Sequence, residues 1–140
     1  MNLNTKVLCS TGFIGNTTNE KNYYQIMEYT PLLHCIGFEF MMFRSWQEKI
    51  QDIAKDLRSS GISFPVFHAE KGIGESISRN QEGDIDAAFD HFKRNCWLAN
   101  EIGSEKMVLH LWGGIASDSN IENNFNQLEQ LNDIAKIYDI

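Results

Sequence analysis

Two stretches decide the fold: Phe64-Pro-Val-Phe-His68 and Lys106-Met-Val-Leu-His-Leu-Trp112. Each is a short apolar run that follows a segment of helical spacing and precedes a glycine-bearing loop. Runs of this kind read as buried strands, and strands separated by helices need crossover connections, which makes the sheet parallel. Each run carries a histidine, His68 and His110, toward its carboxyl end. That end of a parallel strand is where barrel enzymes gather their chemistry.

The same alternation extends outward in both directions. Ser45 and Glu48 have the S-x-x-E spacing of a capping box, and Trp46, Ile50, Ile53, Ala54 and Leu57 then fall on one helical face. Gly61 supplies the stop before a strand over Ser63–Ala69. Further upstream, Cys35–Phe43 reads as a strand, Asn22–Tyr29 as a helix disturbed by Pro31, and Lys6–Cys9 as the first strand. Downstream, Glu70–Gly83 reads as a long polar loop, a length often tied to function. Asp84 is then expected to cap a helix whose stripe is Ile85, Ala88, Phe89, Phe92, Cys96 and Ala99. Gly113-Gly114 ends the fourth strand, and Ile121, Phe125, Leu128 and Ala135 mark the last helix. The predicted order is βαβαβαβα: an α/β fold of four parallel β/α units in a single domain over residues 1–140.

Bulk properties narrow the function classes. The chain has 140 residues, 42% hydrophobic and 22% charged, enough for a packed core. A net charge of −7 repels a phosphate backbone and argues against a nucleic-acid partner. No apolar run approaches the ~20 residues that span a bilayer, and the amino end lacks signal-peptide character, so no membrane partner is expected. Cys9, Cys35 and Cys96 are odd in number and form no CxxC, which fits a reducing, cytoplasmic location. The G-x-G-x-x-G, P-loop and G-x-S-x-G motifs are absent.

Strand alternation predicts that Phe64, Val66, His68 and Glu70 share one face, and that Val108, His110 and Trp112 share one. Adjacent strands lie about 4.8 Å apart, so His68 and His110 could share a metal ion or flank one substrate. The competing reading is two satisfied core histidines. Glu39 could join them, although a bulge at Gly37 would change its parity. Glu70 and Lys71 stand at the root of the next loop, as substrate contacts or a solvated pair. Trp112 could stack on a sugar ring or simply pack in the core. Arg44, Lys71 and Arg79 are the loop cations able to hold a phosphate. His34 and His91 receive no role.

Cys9-Ser-Thr-Gly12, Gly37-Phe-Glu-Phe40, Phe67-His-Ala-Glu-Lys-Gly72 and Val108-Leu-His-Leu-Trp-Gly-Gly114 together resemble the xylose-isomerase-like TIM-barrel superfamily. That group includes sugar-phosphate isomerases and epimerases and an apurinic-site endonuclease branch. The resemblance implies the first four units of the barrel, about half of one, since a full barrel takes about 250 residues. It implies a divalent ion (Mn or Zn, with Mg or Co as alternatives), with His68 and His110 as metal or pocket residues and Glu39 as a site carboxylate. It also implies a sugar or sugar-phosphate substrate converted through a metal-held enediolate. The family's principal metal ligands and paired glutamates come from strands five to eight, which these residues do not include. The half-barrel is therefore expected to belong to a longer chain, to be an inactive remnant or ligand-binding domain, or to pair as a homo-oligomer. The endonuclease-like phosphodiesterase is the alternative activity.

Overall fold

The computed structural model describes residues 7–15, 22–111 and 120–140, and Lys6, Trp112, Gly113 and Gly114 lie outside them. The strands are β1 (Cys9–Ser10), β2 (Phe38–Met41), β3 (Val66–His68) and β4 (Lys106–Val108). The helices are α1 (Tyr24–Tyr29), α2 (Ile50–Ser60), α3 (Gly72–Arg79), α4 (Asp84–Glu101) and α5 (Ile121–Ile137). The strands form one sheet in the order β1-β2-β3-β4, every neighbour parallel. Sequential parallel strands step the same way at each crossover. Right-handed crossovers then bring the connecting helices to one face of the sheet.

Side-chain burial separates the two faces. Phe38, Phe40 and Phe67 point into a single core with Ile53, Leu57, Ile73, Phe92 and Cys96. Phe40 packs against both Phe64 and Phe67, with ring centroids 5.7 and 5.4 Å apart. The other face carries Glu39, Val66, His68, Lys106 and Val108, aligned by the register Glu39↔Val66↔Lys106 and His68↔Val108. Lys106 is exposed and Val108 is 40% exposed, so this face is open.

Several sequence expectations need correction. Phe64 does not share a face with His68; it packs in the core on Phe38 and Phe40. Pro65 lacks an amide donor, the ladder starts only at Val66, and strict alternation holds for three residues. Glu70 also leaves that face, because β3 ends at His68 and the chain turns into α3. The long polar loop contains that helix, whose buried Ile73 and Ile77 stand one turn apart. Gly72 and Gly74 had masked it. The capping box is not formed as expected: Arg44–Lys49 is a 3₁₀ turn that places Ser45 inside the helical segment, and α2 proper starts at Ile50. Gly61 does end α2 in a left-handed conformation, φ 70°. Asp84 is the first residue of α4 behind Gly83, and it bonds backward to the amide of Gln81 and to Arg79.

Gly74 and Asn124 set the path of the chain beyond β4. A Cβ at Gly74 would run into the His110 carbonyl oxygen and sit 2.5 Å from Leu111 backbone atoms. The buried Asn124 amide on α5 donates to the carbonyls of Gly74, at 2.8 Å, and Leu111. Helices α3 and α5 therefore clamp the segment that carries His110. Gly74→Ala should cost about 1–3 kcal/mol by overpacking, and Asn124→Leu a similar amount by leaving two carbonyls without that donor. Urea unfolding monitored by circular dichroism measures both; wild-type midpoints would contradict the clamp.

Candidate functional site

Glu39 within β2, His68 at the last residue of β3 and His110 two residues past the end of β4, which stops at Val108 rather than Trp112, come together. Register puts Glu39 opposite Val66, so its carboxylate leans along the open face toward His68. His68 Nδ1 hydrogen-bonds Glu39 Oε1. A carboxylate only accepts, so this bond assigns a proton to Nδ1, and in the neutral ring the lone pair then lies on Nε2. His68 is only 9% exposed, and its Nε2 is buried with no hydrogen-bond partner among the described residues. The ladder holds the backbone here from both sides: the His68 carbonyl accepts from Met42 N, and Ala69 N donates to Val108 O, both at 2.9 Å.

The His110 ring stacks on His68, with centroids 4.7 Å apart and planes 9° from parallel. Burial, followed by the nearby His68 and Lys71, holds the His110 imidazole below its ordinary value of 6.5, while Glu39 pulls the other way. An imidazolium at His110 is thus disfavoured, and its ring is mostly neutral at pH 7.

This stack is not a chelate. Imidazole lone pairs lie in the ring plane, and two nearly parallel, offset planes do not converge on one ion. His68 Nδ1 is already taken by Glu39. Among the described residues, no group of three or more His, Cys, Asp and Glu side chains is arranged to hold a metal. The implied ion at His68 and His110 does not fit these donors as they stand.

A cleft of about 290 Å³ opens beside His68, lined by Met41, Phe43, Arg44, Glu70, Lys71 and Glu75, among others. Lys71 and Arg44 are exposed at its rim, and the Arg44 side chain passes 3.7 Å from the Cβ position of Gly72. Arg79 is not available to it, since its guanidinium grips Asp84 with two bonds of 2.7 and 2.8 Å. Trp112 falls outside the described residues.

Glu70 is the site residue whose surroundings differ most from expectation. It is 2% exposed rather than solvated. His91 Nδ1 bonds its Oε1 at 2.7 Å, and Asn95 accepts from its backbone amide at 3.1 Å while donating to the His91 carbonyl at 2.8 Å. Its Oε2 is buried and has no partner among the described residues. His91, given no role from the sequence, is thus half of a second Glu–His pair reaching the same cleft. The signal that was available is the His91/Asn95 spacing, one turn apart on α4.

The fold is a mixed α/β structure with a four-stranded parallel sheet. No known protein family, curated protein or solved structure matches the chain. Among the described residues no helix is long and apolar enough to cross a membrane.

The lowered His110 value sets a pH dependence. Between 6.5 and its lower folded value, the unfolded chain binds a proton that the folded chain refuses. Stability should therefore fall as pH drops through that window. Titration of the His110 ring by NMR should give a midpoint below 6.5, moving upward in His68→Gln. A midpoint at or above 6.5 would contradict the burial and pairing described.

Proposed function

We propose that this chain is the amino-terminal half of a sugar isomerase or epimerase barrel, and that its Glu39–His68–His110 cluster is a proton-transfer half-site. The observation that carries the reading is the buried, unpartnered Nε2 of His68, a residue lining a cleft, with Nδ1 held by a carboxylate. The sequential order of parallel strands and the open face also suit a barrel wall.

A ketose or its phosphate would sit in the cleft, with any phosphate against Arg44 and Lys71. His68 Nε2 takes the proton from the carbon beside the carbonyl. Glu39 keeps the imidazole in the productive tautomer and stabilises the imidazolium that forms. Neutral His110 offers an N–H to the carbonyl oxygen as negative charge develops there. The steps assigned here belong to the side chains of this chain. Stereochemical inversion needs a second acid/base group on the opposite face of the substrate. The resemblance places such groups on strands five to eight. Those units, supplied by a longer chain or by a second copy, would pair with the edge strands β1 and β4 and enclose the open face.

A half-site with one base should exchange a proton without inverting the carbon. In deuterated water, the full chain should slowly label ketoses or ketose phosphates beside the carbonyl, with little epimerisation. His68→Gln should reduce labelling at least ~100-fold, and Glu39→Gln by a smaller factor. Rapid epimerisation by the chain alone, or labelling unaffected by His68→Gln, would contradict the proposal.

A further inference from the structure

Two of the three cysteines lie against each other at the end of the sheet remote from His68. Cys9 opens β1 and pairs in register with Phe38, the first residue of β2. Cys35 precedes that residue by three positions. The two sulfurs are 2.9 Å apart, and both side chains are half-buried, within reach of a small oxidant. Cys96 behaves differently: it is fully buried in α4, and burial pushes its thiol up to about 12.

We propose that Cys9 and Cys35 form a reversible thiol–disulfide switch that straps β1 to the start of β2. The oxidant is a small-molecule disulfide. The Cys9 thiolate attacks one of its sulfurs, the S–S bond breaks, and one thiol leaves carrying a proton. Cys35 then attacks the Cys9 sulfur of the mixed disulfide and releases the second thiol. The protein loses two hydrogens and two electrons, and the oxidant becomes two thiols. The order follows from the contact: the hydrogen bond to Cys9 raises the Cys35 thiol, so Cys35 keeps its proton while Cys9 attacks.

The strap would close a loop between positions 26 apart, which holds the 3₁₀ turn Thr11–Phe13 and helix α1. Cross-linking restricts the unfolded chain, and β1 is only two residues long. Thr11 already ties this region to β2, accepting from Met41 N at 2.9 Å. Oxidation should therefore hold the β1 edge in place and leave the cleft side of the sheet unchanged.

Oxidised glutathione is the probe for the full chain. The expected product has lost two hydrogens by intact mass, and its titratable thiols in denaturant fall from three to one. Peptide mapping should join Cys9 to Cys35. The melting temperature should rise by about 5–10 °C and return on reduction. Cys35→Ser should stop at a stable glutathione adduct on Cys9. A wild-type chain that keeps three thiols, retains bound glutathione, or uses Cys96 in the bridge would overturn the switch. The wild-type mapping decides the matter even if the variant does not fold.

Discussion

The bond from His68 Nδ1 to Glu39 joins neighbouring strands, and the chemistry of the open face depends on it. It exists because β2 and β3 pair in parallel with Glu39 opposite Val66. A one-residue slip would turn Glu39 into the helix-covered core and Phe40 out of it. Phe40, fully buried against Phe64 and Phe67, opposes that slip. The apolar face thus fixes the register, and the register fixes the polar pair on the other face.

Around this pair the charges are arranged in sequence. Glu39 holds His68, burial and then His68 and Lys71 lower the His110 value, and Lys71 with Arg44 rims the cleft. Glu70 lies deeper, tied to His91 and Asn95 of α4. His68 Nε2 and Glu70 Oε2 are both buried with unused bonding capacity, and both residues line the same cleft. Buried polar groups are usually satisfied, and groups that are not tend to mark functional sites.

Much of this was legible in the sequence. The alternation of strands and helices, the parallel order and the meeting of His68 with His110 follow from apolar spacing and from the glycines that end each element. Glu39 was only half legible: the sequence left its parity open at Gly37, and the pairing, with no bulge in the paired residues, puts it opposite Val66. What period-two reasoning missed lies where the period ends. Phe64 and Glu70 flank a three-residue strand, and neither follows its alternation. Helix α3 was hidden because glycines that permit close packing look the same as glycines that break helices. Gly74 is the packing kind, pressed against the backbone of His110 and Leu111. His91 was missed because its partner is 21 positions away and reaches it only after the chain turns at β3.

The tautomer of His68 tests the central claim most directly. Long-range proton–nitrogen NMR on the ¹⁵N-labelled chain at neutral pH reports which ring nitrogen carries hydrogen. The expected result is a fixed Nδ1–H with a bare Nε2, becoming mixed in Glu39→Gln. An Nε2–H tautomer in the wild type, or a pattern indifferent to Glu39, would contradict the pairing on which the site is built.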